Sequence, residues 1–248
     1  MGSLKAEIAE FEKAINRLSG KYQTWQVWAD WVCVFATALS QSLDFREDRE
    51  KRYKEIASKY TPEEMNVVIK ELCDITVNAL TSNRNQDFLG SIYMDLNLAN
   101  HWKGQFFTPY SVCECMAAFQ CDSYLSTINK QGYITISDPS CGGGATLIAA
   151  FEYIHQKMIE ENSPLNPQDH VLLVGQDISE TTAQMCYIQL SLLGIAGIIK
   201  VGDTLADPLT GDMLNLPKSG DLWFTPMYNM PVWTGRQICH KLDLMFKA

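Results

Sequence analysis

Three aspartates, Asp138, Asp177 and Asp203, each close a short apolar stretch in the second half of the chain: "YITISD" (133–138), "HVLLVGQD" (170–177) and "IIKVGD" (198–203). The first leads straight into a glycine-rich turn, "DPSCGGGATL" (138–147). Glycines let a backbone approach a ligand closely. A phosphate cradle would need GxGxxG or a GK[ST] ending. Neither is present: no lysine follows the glycines, and Asp138 would repel a phosphate. A carboxylate at that point suits a cationic or hydroxyl-bearing ligand. Asp177 is placed to accept from ribose hydroxyls, as an acidic residue does in dinucleotide folds. Asp203 could accept from an amino group. Together they point to a nucleoside with a positively charged tail. The same aspartates also suit a plainer role as helix caps and turn formers. Their recurrence at three successive strand ends favours the ligand.

The elements that must position these groups alternate. The stretches ending at 138, 177 and 203, with "DLWFT" (221–225), read as strands, and residues 145–160 and 179–193 read as helices. Strands alternating with helices predict a parallel α/β sheet. Ligands bind such sheets at the carboxyl ends of the strands. Residues 4–100 read instead as helices. Leu4, Ile8, Phe11, Ile15 and Leu18 keep the spacing of one helical face. Residues 24–43 are apolar nearly all round and predict a buried helix. "EDREKRYKEIASKY" reads as a charged helix with a solvated face. "TPEEM" (61–65) is a helix start, with Thr61 as N-cap, Pro62 in the first turn and Glu64 three residues on. "TSNRNQD" (81–87) breaks the pattern. The organisation is thus a helical N-terminal domain, residues 1–100, followed by a ligand-binding domain, 101–248.

Bulk properties narrow the class. A chain of 248 residues can bury a real core. Hydrophobic content of 46% and charged content of 20% are ordinary for a globular protein. The net charge of −9 disfavours contact with phosphate backbones, so a nucleic-acid role needs a local basic patch or a partner. The eight cysteines contain no Cys-x-x-Cys pair. They predict reduced, buried thiols, neither a disulfide framework nor a metal clasp. No secretory signal is legible at the N-terminus, and the longest apolar run, "WVCVFATAL" (31–39), is too short to span a bilayer. The expected location is the cytoplasm.

"GQFFTP" (104–109), "DPSCGGGATL", "GQDIS" (175–179) and "GDTL" (202–205), in that order, resemble the S-adenosylmethionine-dependent N6-adenine DNA methyltransferases. Among these the chain looks most like the modification subunit of type I restriction systems. The resemblance covers about residues 85–228. It implies a Rossmann-like methyltransferase fold after an α-helical domain. It implies S-adenosylmethionine as cofactor, with Phe107, Thr108 and Pro109 lining the methionine end and Asp138 holding the amino group. Gly142 and Gly144 would give room, Asp177 would take the ribose hydroxyls, and Ile178 would pack on the adenine ring. Asp203 would accept from the adenine amino group, with Pro139, Cys141 and Leu205 completing the set. It also implies DNA as substrate, reached through a partner specificity subunit.

One element departs from the pattern. The family's Asn (or Asp)-Pro-Pro-Tyr/Phe motif, which follows the fourth strand, positions the target amine and stacks on a flipped-out base. Here "FTPMYNMP" puts Thr225, Pro226 and Tyr228 at the catalytic positions, with a hydroxyl in place of the amide. Tyr228 and Trp233 read equally well as core aromatics. Only four strands are legible, so the parallel sheet reads as C-terminally incomplete, with "DLWF" near an open edge. Three explanations stay open: a hetero-oligomeric partner completes it, a homodimer does, or the chain is a truncated gene product. Three functions stay open: an adenine methyltransferase working with a partner, a cofactor-binding remnant with an interaction or regulatory role, and a methyltransferase acting on RNA, protein glutamine or a small molecule.

Overall fold

The computed structural model describes residues 4–41, 43–98, 107–217 and 219–247. Gly104, Gln105 and Phe106 of the "GQFFTP" stretch, and the expected boundary at 100/101, lie outside the described residues.

The N-terminal helices follow their sequence patterns. Helix α1 (Leu4–Asn16) buries Ile8, Phe11 and Ile15 on its predicted face. Helix α2 (Thr24–Gln41) is buried nearly all round, with Phe11 packed edge-on against Trp28 and Trp31. Helix α3 (Glu47–Ala57) follows. Thr61 then forms its capping box: its hydroxyl accepts from the Glu64 N–H at 3.3 Å, and the Glu64 carboxylate accepts from the Thr61 N–H at 2.8 Å. From there the chain runs through α4 (Pro62–Met65), a π-helical stretch (Asn66–Glu71) and α5 (Leu72–Ser82). The polar break at 81–87 ends in Asp87, the N-cap of α6 (Phe88–Asp95).

Helices α7 (Tyr110–Gln120) and α8 (Tyr124–Gln131) lead into the sheet, built from β1 (Ile134–Asp138), β2 (Val171–Asp177), β3 (Ala196–Val201) and β4 (Leu222–Phe224) in that spatial order. Strands β1, β2 and β3 are parallel, joined through α9 (Ala145–Glu160), the short α10 (Pro167–His170) and α11 (Glu180–Leu192). Asp138 pairs with Gly175, and Asp177 with Val201, so the acidic strand ends share one edge.

Residues alternate between two faces. Leu173, Ile199 and Trp223 join Phe151 of α9, Ile188 of α11 and the N-terminal aromatics in one continuous core. Leu172, Val174, Ile198 and Phe224 face the other way. There they meet Leu214 of the 203–217 segment, Tyr228, and Trp233 of α12 (Pro231–Lys247).

Strand β4 differs from the expected parallel arrangement: it pairs with β3 antiparallel, Phe224 opposite Ile198 and Leu222 opposite Lys200. A parallel return needs a crossover, usually a helix. Between β3 and β4 the chain carries Pro208, Gly211 at φ +98° and Pro217, so no long helix forms, and Leu214 anchors the segment on the sheet's second face.

The outer edge of β4 is covered by α3. Arg49 donates from Nη2 to the Leu222 carbonyl at 2.7 Å, and its guanidinium stacks 3.5 Å over the Trp223 ring. Arg46 donates to the Ser219 carbonyl at 2.9 Å. The charged α3 is therefore not simply a solvated face, because Arg49 is buried with Asp44 3.6 Å away. Among the described residues the free edge is that of β1, where Thr135 and Ser137 are exposed. The cysteines carry no disulfide, and Cys115 and Cys239 are exposed, against the expectation of burial. No helix among the described residues is long and apolar enough to cross a membrane, and no three His, Cys, Asp or Glu side chains there cluster to hold a metal ion.

Removing one partner of a buried ion pair typically costs about 3–5 kcal/mol. Arg49→Ala should therefore lower unfolding free energy by about 3 kcal/mol in urea titration, whereas Lys51→Ala on the exposed side of α3 should change it by less than about 0.5 kcal/mol.

Candidate cofactor site

At the carboxyl edge of β1–β3 the three strand-end loops are tied together. The Asp177 carboxylate makes three bonds, one of them across to the glycine turn. Oδ2 accepts from the Gly142 N–H at 2.9 Å, and Oδ1 accepts from the Ser179 N–H and the Thr182 hydroxyl, both at 2.8 Å. The Gly202 N–H donates to the Asp177 carbonyl, the Cys141 N–H to the Gln176 carbonyl, and the Thr204 hydroxyl to the Pro139 carbonyl. Asp138 accepts from the Ser140 N–H at 3.0 Å and from the Thr146 hydroxyl. Asp203 accepts from the Leu205 N–H at 2.9 Å. Each aspartate thus performs the turn-forming work expected of it, and each lies at the edge where a ligand would bind.

The glycines are required. Gly142 and Gly144 have φ of +52° and +97°, where side chains are rarely tolerated. A Cβ on Gly142 would sit 3.0 Å from the Phe107 ring, and one on Gly144 would sit 2.8 Å from the Cys186 sulfur. Gly144 also begins α9 with no side chain capping the first turn.

Above the turn lies a cavity of about 230 Å³, lined by Phe107, Thr108, Asp138, Cys141 and Gly142 of the expected set. Asp87 and Met116 also line it, and no Lys or Arg does among the described residues. Phe107 is braced by Tyr93, ring centroids 5.0 Å apart. Cys141 is buried; hydrogen bonding with Cys186 and burial hold its thiol well above the ordinary thiol range, which leaves it a packing group. Pro109, Pro139, Gly144, Asp177, Ile178, Asp203 and Leu205 lie outside this cavity. Pro109 starts α7, Asp177 is buried under the turn, and Ile178 and Leu205 are 68% and 96% exposed beyond the ends of β2 and β3.

The expected catalytic residues are elsewhere. Because β4 is antiparallel, its end lies toward the opposite edge of the sheet. Thr225 pairs with Gly197, four residue steps from the Asp177 level, about 13 Å at the usual strand rise. Thr225 is fully buried, donating to the Ile195 carbonyl and accepting from the Gly197 N–H, both at 2.8 Å. Pro226 accepts from the Asn229 N–H. Tyr228 donates to the Met213 carbonyl and stacks on Phe224 at 5.4 Å, and burial raises its pKa. Thr225 thus lies over Gly197 on the α11 side of the sheet and Tyr228 in the second core, and none of Thr225, Pro226 and Tyr228 lines the cavity.

Sequence reasoning missed Asp87, Gln189 and Thr182. Gln189 is fully buried and its Nε2 donates to both Asp87 Oδ1 and the Gly143 carbonyl at 2.8 Å, while its Oε1 accepts from the Leu89 N–H at 3.1 Å. The available signal was the helix 179–193, whose apolar residues lie all round, so that any polar side chain there must find a buried partner.

Residues 84–242, more than half of the chain, match the family model described as N-6 DNA Methylase. The chain belongs to that family. Among solved structures it is similar to the type I restriction-modification system methyltransferase subunit from Streptococcus thermophilus: 14% identity, 86% of this chain, 61% of that one, TM-score 0.43. It is also similar to a putative class I S-adenosylmethionine-dependent methyltransferase from Listeria monocytogenes: 14% identity, 76% of this chain, 57% of that one, TM-score 0.40. The chain thus spans about three fifths of the length of these two structures. No curated protein matches it by sequence.

Asp177→Ala removes an acceptor for three donors, one of them buried in the glycine turn. It should lower unfolding free energy by about 2–4 kcal/mol in urea titration.

Proposed function

We propose that the chain binds S-adenosylmethionine at the carboxyl edge of its sheet and serves methylation of adenine N6 in DNA, with a partner subunit supplying DNA recognition. The observation that carries this reading is the convergence of Phe107, Thr108, Asp138 and Gly142 on one cavity, in a chain of the N-6 DNA methylase family. The donor set fits the cofactor. At about 230 Å³ the cavity is smaller than sites that enclose a drug-sized ligand, which suits an amino-acid tail. Asp138 would take its ammonium. The uncapped first turn of α9 suits the tail's carboxylate. Outside, Asp177 would receive the ribose hydroxyls, Asp203 the adenine amino group, and the exposed Ile178 and Leu205 the faces of the ring, with Pro109 and Pro139 shaping the loops. Bound there, the cofactor supplies an electrophilic methyl group on its sulfonium. In this reading residues 1–100 form a helical support domain and residues 101–248 the cofactor domain. The acidic net charge of −9 is why DNA recognition is assigned to a partner.

A second reading, a cofactor-binding protein with an interaction or regulatory role, is favoured by one observation: Thr225 is buried over Gly197, Tyr228 lies in the second core, and neither lines the cavity. Calorimetric titration with S-adenosylmethionine should give micromolar binding, and Asp138→Ala should weaken it by about tenfold or more. Absence of binding by the folded chain would sink both readings. Radiolabel transfer to DNA then separates them: transfer only in the presence of a partner subunit supports the first, and none in either condition the second.

A further inference from the structure

Asp87 lies 51 residues before Asp138, on the helical side of the molecule, yet lines the same cavity. It is 7% exposed. One oxygen is committed: Oδ1 accepts from the Gly90 N–H at 2.9 Å and from Gln189 Nε2 at 2.8 Å. The other, Oδ2, accepts no hydrogen bond from any described residue. Gly90 clears the space around this carboxyl, and Gly143 stands at ordinary contact distance. A Cβ on Gly90 would sit 1.9 Å from Oδ2, and one on Gly143 would sit 3.5 Å from Oδ1. Burial raises the Asp87 pKa, and its bonds to Gln189 and Gly90 offset this only in part. A buried carboxyl of that kind gains from a cation brought against it.

We propose that Asp87 is a second anchor for the ligand's cationic tail in the cavity that Asp138 also lines, its free Oδ2 accepting from the α-ammonium. This rests on the cofactor reading above and adds a residue from the helical half to the site. Gln189 acts as its positioning residue, because one amide group fixes both Asp87 and the Gly143 carbonyl.

The test compares two nucleosides by calorimetry: S-adenosylhomocysteine, which carries the α-ammonium, and 5′-methylthioadenosine, which lacks the amino-acid tail. Asp87→Asn keeps a side-chain oxygen for the Gly90 N–H and for Gln189 but loses the charge; asparagine is also a good N-cap. The variant should weaken S-adenosylhomocysteine by about 10- to 100-fold and leave 5′-methylthioadenosine unchanged. Unchanged affinity for S-adenosylhomocysteine would overturn the proposal. An equal loss for both nucleosides would also overturn it, by showing that Asp87 only holds α6. If Asp87→Asn does not fold, Asp87→Ser, another good cap, is read in the same way; failure of both to fold assigns Asp87 a structural role and overturns the proposal too. If the wild-type chain binds neither nucleoside, it is the cofactor reading that fails.

Discussion

The amide of Gln189 is the tie on which the site depends. It sits on α11, which the sheet face and the N-terminal helices both press upon, and it is wholly enclosed. Both of its N–H donors and its carbonyl oxygen are used: toward the start of α6 through Asp87 and Leu89, and toward the glycine turn through Gly143. A buried amide that lost any of these contacts would leave a desolvated polar group, which costs about 1–3 kcal/mol. The helical half and the glycine turn are therefore held in one register. The continuous core from Phe11 through Trp223 makes the same point with apolar contacts.

Around that tie the site is assembled from distant parts of the chain. Asp177 fixes the glycine turn from below, Phe107 closes it from one side with Tyr93 behind, and Asp87 faces it from the helical layer. The charge of the lining is one-sided: carboxylates among hydroxyls and apolar surface, without a lysine or arginine among the described residues. Such a lining selects for positive charge. The sheet's opposite edge has a different character. There Thr225, Tyr228 and Trp233 donate to backbone carbonyls, and Tyr228 stacks with Trp233, the work of a core.

Much of this was legible in the sequence. Local signals carried the strands to within two residues, α9 at both ends, and the capping box at Thr61, because each is decided by neighbours within a few positions. The glycine turn and the aspartates after it were legible for the same reason. What was not legible depends on distant partners. The direction of β4 is set by the 20-residue segment before it, whose prolines forbid a crossover helix. The burial of Arg49 depends on Trp223 and Leu222, more than 170 positions away. Asp87 could be read as a cap, but that it also lines the cavity follows only from the packing of α6 against α11.

The reversal of β4 has a consequence for how this chain meets others. By pairing with β3 and taking Arg49 over its outer side, the strand seals one border of the sheet. The border left at β1 is short, five residues, and carries hydroxyls at Thr135 and Ser137 in place of an apolar stripe. An edge of that composition gives a stray strand few dry contacts to add to its backbone hydrogen bonds. The molecule is thus guarded against indiscriminate sheet extension, and a strand that does join at β1 must bring its own polar complement.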